Sequence, residues 1–164
     1  MAKTKKAPKV HSMDKSTKSR KPEANVKSLD ILVGTWDMDL PEAGDPEVRV
    51  HGSVTFEWMA GGHYLIESSA SDHELYPDSL SVIGFDETTG NFKQHYFDSR
   101  GVERIYGASL MNKVLRFWRD SPGFSQRFTG KISDHGRLMT GRWEKSVDGA
   151  TWETDFDLSY TKRK

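Results

Sequence analysis

The chain has 164 residues, with 24 Lys and Arg balanced by 24 Asp and Glu, and it contains no cysteine. That length fits one domain with a core of its own, and the missing cysteines exclude a disulfide framework, thiolate metal sites and a cysteine nucleophile. No apolar run approaches the roughly 20 residues that span a bilayer, and the basic N-terminus lacks the apolar stretch of a secretory signal, so a soluble, cytoplasmic protein is expected.

The balanced total hides an asymmetry. Residues 1–27 hold nine Lys and Arg against Asp14 and Glu23, which leaves residues 28–164 acidic by the same margin of seven. With Val10 and Val26 as its only branched aliphatics and no aromatic residue, the basic segment cannot bury enough surface to offset its ordering entropy. The expectation is a disordered basic tail over 1–27 and one folded domain over 28–164. Such a tail serves as a solubilising leader or as an arm that binds a polyanion through counterion release. It has no interleaved aromatics on which bases could stack.

The folded region opens with a short helical signal. Leu29, Leu32 and Val33 share a face, Ser28 stands as a cap and Gly34 ends the turn, so a short N-terminal helix is expected to plug one end of the fold. Segments rich in β-branched and aromatic residues follow: Thr35–Leu40, Val48–Trp58, Tyr64–Ala70, Ser79–Phe85, Phe92–Phe97, Val102–Leu110, Lys113–Arg119, Phe124–Ile132, Leu138–Glu144 and Thr151–Tyr160. Turn signals such as Gly61-Gly62, Tyr76-Pro77-Asp78, Asp120-Ser121-Pro122-Gly123 and Val147-Asp148-Gly149 separate them. Leu115 and Phe117 against Arg116, or Phe156 and Leu158 against Asp155 and Asp157, alternate as in a sheet with one packed and one wet face. The reading is all-β: about ten antiparallel strands closed into a single barrel, because closure removes exposed edges.

Two constellations suggest a site. In His95-Tyr96-Phe97-Asp98-Ser99-Arg100, a strand runs into a turn. Tyr96 and Asp98 share one face, Asp98 and Arg100 form a candidate pair at a pocket mouth, and His95 is a candidate proton-transfer group. The bland reading is a turn held by an Asp side chain. Arg119 shares a face with Leu115 and Phe117, which turns it inward and obliges it to find an acceptor, for which Glu57, Asp98 or an anionic ligand are the candidates. Gln126, between Phe124 and Phe128, is a second inward polar group, and the alternative is an internal network that merely specifies the fold. Trp58, Trp118, Trp143 and Trp152 either line a cavity or fill the barrel. No HExxH, phosphate loop, dinucleotide fingerprint or G-x-S-x-G elbow occurs, and the histidines lack metal-ligand spacing.

Gly34-Thr35-Trp36 resembles the calycin signature, in which a tryptophan closes the barrel bottom beneath a late basic side chain. The segments Leu32–Trp36, Phe56–Trp58, His95–Val102, Pro122–Phe128 and Thr140–Glu144 resemble those of a bacterial, calycin-like family of unknown function, the fifteen seventy-nine type. More distant likenesses are to lipocalins, fatty-acid-binding proteins and nitrobindin. The nitrobindin likeness implies a haem held by a late-strand histidine. His135, the last one, falls in an expected turn, so His95 or His63 would have to substitute, and no cofactor is expected.

The functional expectation is a barrel that binds a small hydrophobic or amphipathic molecule, as a monomer or homodimer. Its ligand-binding residues are read as Trp58, Tyr96, Asp98, Arg100, Trp118, Arg119, Gln126 and Phe128, with no metal. The rivals are an isomerase, lyase or hydrolase using His95, Asp98 or Glu57, and an interaction module whose tail binds a polyanion.

Overall fold

The computed structural model describes residues 26–42, 45–74 and 76–164, so the tail read over 1–27 lies almost wholly outside the described residues. Ten strands follow one short helical turn. They are β1 (Gly34–Glu42), β2 (Asp45–Trp58), β3 (Tyr64–Ser71), β4 (Ser79–Asp86), β5 (Asn91–Asp98), β6 (Glu103–Met111), β7 (Val114–Arg119), β8 (Ser125–Ile132), β9 (Leu138–Ser146) and β10 (Glu153–Lys162). Each pairs antiparallel with the next in the chain, and β1 pairs with β10 to close the barrel. Inward positions alternate as the side-chain period of a strand demands. Trp36, Met38 and Leu40 of β1 face Val50, Val54 and Phe56 of β2 within one core that also takes Leu65, Ile83, Phe92, Leu115, Ile132 and Met139.

The plug spans Val26–Ile31 and is a 3₁₀ turn. Leu32 N–H donates to Leu29 O at 2.9 Å and Val33 N–H to Asp30 O at 3.1 Å, the i→i+3 pattern. Six residues are too few to repay α-helix nucleation, whereas a tight 3₁₀ turn suffices to bury Leu29 and Leu32.

Gly34 then turns the chain into β1 with φ of +123°, a conformation that L side chains rarely adopt. A Cβ there would also lie 3.0 Å from Lys162 Cε. The space is needed because Lys162 folds back over the barrel end: its Nζ lies 5.1 Å from the centre of the Trp36 ring and donates to Ile31 O at 3.1 Å. Trp36 itself is fully buried, and its indole N–H donates to Leu32 O at 2.7 Å. The tryptophan and the late basic residue expected of the calycin signature thus meet, and together they tie plug, first strand and last strand.

Replacing Trp36 by Phe strands the Leu32 carbonyl and leaves a void, and should cost about 2 kcal/mol in urea unfolding. Lys162→Met should cost about 1 kcal/mol. Because both act on one contact, the double variant should lose less than the two single losses combined, which a double-mutant cycle reads directly.

Candidate functional site

Above the apolar floor the barrel is hollow. A cavity of about 370 Å³ lies between the core and the end of the barrel opposite the plug. One wall is aromatic. Phe117 and Trp143 stack with their planes 9° apart at 6.4 Å, Phe128 tilts against Trp143 at 5.2 Å, and Tyr106 meets both Trp143 and Tyr96 edge-on. Met38, Leu40, Val54, Phe156 and Leu158 complete the apolar lining. At the mouth, Tyr76 and Pro77 of the β3–β4 connection lean over the opening, with Tyr76 Oη donating to Pro41 O at 3.2 Å.

The polar lining is organised around two glutamines. Gln126 Oε1 accepts from Arg104 Nη1 and from Tyr106 Oη, each at 2.7 Å. Because a guanidinium only donates, that contact fixes the amide orientation and leaves Gln126 Nε2 with no acceptor among the described residues. Arg104 also lies 5.0 Å above the centre of the Phe124 ring. Among the described residues its polar partners are Gln126 and Tyr106, both neutral, so this guanidinium inside the cavity has no counter-ion.

The second glutamine, Gln94, donates from Nε2 to Glu67 Oε2 at 2.6 Å and to Ser81 Oγ at 3.0 Å. Burial pushes the Glu67 carboxyl up from 4.5 to about 7, against the smaller opposing effect of the Gln94 and Ser81 hydrogen bonds. The area Glu67 retains faces this cavity rather than the outer surface.

The residues read from the sequence distribute as follows. Tyr96, Arg100, Gln126 and Phe128 line the cavity. Asp98 is buried behind the mouth, where Oδ2 accepts from Tyr96 Oη at 3.1 Å and from Arg100 Nη2 at 2.7 Å, while Oδ1 accepts the backbone amides of Arg100 and Val102. Burial opposes its charge, but the Arg100 guanidinium and the two amides outweigh it and hold the carboxyl down to about 2. Asp98 is a charged strut that shapes the turn and orients Arg100.

Arg119 turns inward at the end of β7 but finds its acceptors in the β7–β8 connection. Nη1 donates to Phe124 O at 2.8 Å and Nη2 to Ser121 Oγ at 3.0 Å, so neither Glu57, Asp98 nor a ligand is needed. Trp58 lies at the plug end, its indole N–H donating to Asp30 Oδ1 at 2.9 Å. Trp118 is on the outer face, its ring lying flat over Gly107, where a Cβ would come within 2.4 Å of it. Of the other tryptophans, Trp143 lines the cavity and Trp152 lies beneath the Arg127 guanidinium at 4.3 Å. His95 and Glu57 occupy outward positions of β5 and β2, and His63 and His135 sit in connections between strands. Among the described residues no histidine lines the cavity, so the late-strand histidine ligand that the nitrobindin likeness implies is not placed there. Among the described residues no three His, Asp or Glu side chains converge on a point that could hold a metal.

Glu67 and Arg104 were absent from the sequence-based candidates. The available signal was alternation: Arg104 shares parity with Tyr106 and Ala108, both buried, and Glu67 shares parity with Leu65.

A closed antiparallel barrel, sealed by a plug and a tryptophan at one end and hollow with a polar mouth at the other, defines a calycin-like protein. The chain belongs to the DUF1579 family, described as "Protein of unknown function", which it matches over residues 21–107. That span ends within β6, so the segments Pro122–Phe128 and Thr140–Glu144 lie beyond it. No match to a curated protein is found. Among solved structures, the crystal structure of Rv2717c from M. tuberculosis is similar in fold, with a TM-score of 0.64 over 87% of this chain and 99% of that one. At 10% identity the likeness is one of architecture. No helix among the described residues is long and apolar enough to cross a membrane.

The elevated Glu67 carboxyl has a consequence for stability. A carboxyl that holds its proton more tightly folded than unfolded contributes fully only below about pH 4.5, and that contribution is lost as pH rises through about 7. Glu67→Gln removes the titration. Its stability relative to wild type should therefore improve by about 2 kcal/mol between about pH 5 and about pH 8 in urea unfolding. A difference that does not change with pH would place the Glu67 carboxyl at its ordinary value.

Proposed function

We propose that the barrel binds a small amphipathic molecule whose apolar or aromatic body lies against Phe117, Phe128 and Trp143 and whose anionic group is held at the mouth by Arg104 and Gln126. The observation that carries this reading is the unbalanced guanidinium of Arg104. A cation half-withdrawn from water is costly unless a partner neutralises it. Arg100 spends its charge on Asp98, and Asp155, the acidic residue at the mouth, is neutralised by Lys145 at 3.1 Å. Arg104 is thus left to attract an anion, with the Gln126 Nε2 donor beside it. An apolar-lined pocket with a few convergent polar groups is the usual form of a small-molecule site, and 370 Å³ accommodates one or two rings.

The experiment is a titration with 1-anilinonaphthalene-8-sulfonate, an aromatic anion that reports on apolar sites by its fluorescence, alongside native mass spectrometry of the freshly purified protein. Arg104→Met keeps the Tyr106–Gln126 hydrogen bond and much of the side chain's bulk. It should weaken binding of the dye by about tenfold to a hundredfold, the value of one charge-assisted hydrogen-bonding group. Equal affinity in the variant and wild type, or no bound molecule in either measurement, would sink the proposal.

A further inference from the structure

Two charged side chains of opposite sign share the cavity without meeting. The register sets them on one row of the sheet: Glu67 stands opposite Ser81, Ser81 opposite Tyr96, and Tyr96 opposite Arg104. Three strand spacings, about 14 Å along the wall, separate the first from the last. Each is held back by its own glutamine, Glu67 by Gln94 at 2.6 Å and Arg104 by Gln126 at 2.7 Å. Neither forms an ion pair within the described residues.

Among the described residues, the elements packed around Glu67 supply no cation. β2 brings Val54 and Phe56, β4 brings Ser81, β5 brings Gln94 and Tyr96, and β10 brings Tyr160 from across the barrel. The other charged groups of the lining, Arg100, Arg104 and Asp155, belong to the mouth. Burial, and then the charge of Glu67, raise the Tyr160 phenol, which stays neutral and forms no hydrogen bond with another described residue. Its oxygen is nonetheless open to the hollow, since no buried side-chain oxygen or nitrogen among the described residues lacks a partner. The inner end of the cavity therefore offers a carboxylate and a phenol oxygen, both able to accept, and among the described residues no positive charge balances them.

Resting on the anion-binding reading of the mouth, we propose that this inner end is a cation subsite. Glu67, supported by Gln94 and Ser81 and faced by Tyr160, takes a basic nitrogen of the ligand. The barrel then selects a bipolar aromatic molecule, with an acidic group at Arg104, an amine at Glu67 and a ring between them against the aromatic wall. An ammonium group supplies the counter-charge that the buried carboxylate lacks, as the acid does for Arg104. It also favours the ionised form of Glu67. Since that carboxyl is pushed up to about 7, binding near neutral pH releases a proton to the buffer.

The test compares 4-(aminomethyl)benzoate, which carries both groups, with 4-methylbenzoate, which carries the acid alone. Isothermal titration calorimetry near pH 7 is run in two buffers of different ionisation enthalpy. The aminomethyl compound should bind at least about tenfold tighter, the scale of one charge-assisted contact, and its heat should depend on the buffer as proton release requires. Glu67→Gln should erase both the preference and the buffer dependence, while leaving 4-methylbenzoate within about twofold of its wild-type affinity. Arg104→Met should weaken both compounds and keep the preference.

If the two acids bind equally to wild type without proton release, or if the preference survives Glu67→Gln, the cation subsite is wrong. The mouth reading stands in that case as long as Arg104→Met still weakens 4-methylbenzoate. Failure of both acids to bind overturns the two readings together. The buffer dependence is read on the wild-type protein, so the test does not hinge on how the variant folds.

Discussion

The pairing of the first strand with the last is the constraint on which the rest depends. Only four residue pairs, Trp36 with Lys162 through Asp39 with Ser159, join β1 to β10, yet without them the sheet would keep two open edges and no interior. The seam is reinforced where it is shortest. Trp36 is pinned from the plug through the Leu32 carbonyl and covered by Lys162, whose ammonium is in turn held by Ile31 O. Gly34 leaves the room for that lysine to lie flat. Chemistry at the sealed end therefore decides whether there is a chamber at the other.

Within the chamber, charge is kept separate by amides. A guanidinium and a carboxylate facing one hollow would ordinarily find each other and close it. Gln94 and Gln126 each satisfy one of them locally. The arrangement costs stability, as the elevated Glu67 carboxyl records, and costs of that kind concentrate where a protein handles something other than itself. Asp98 shows the opposite solution: a buried carboxylate saturated by Arg100, two amides and a tyrosine, and so devoted to holding a turn.

Much of the fold could be read from the chain because its turns are marked and its strands alternate. All ten segments read as strands coincide with the ten observed within a few residues, and the late basic residue expected over Trp36 proved to be Lys162. The site was less legible. Alternation brought Tyr96, Gln126 and Phe128 inward, where side chains of the same parity surround them. Trp118 stands between Phe117 and Arg119, so the parity that turned those two inward turns it outward, and a large aromatic ring says nothing about its own face. Glu67 follows Leu65 and Ile66, an apolar pair that leaves the direction of the strand ambiguous. Arg104 is flanked by Ile105, whose bulk suggests the wrong face. Arg119 was correctly turned inward, but its acceptors come from the next connection, a contact no strand pattern encodes.

The same seam bears on how the protein is made. Ile31 and Lys162 are 131 positions apart along the chain, and no shorter-range contact can stand in for β10 at the open edge of β1. During synthesis, nine strands can form hairpins with their neighbours while the outer rims of the growing sheet stay bare and the aromatic lining stays wet. The nascent chain is thus most vulnerable to aggregation just before its final strand emerges.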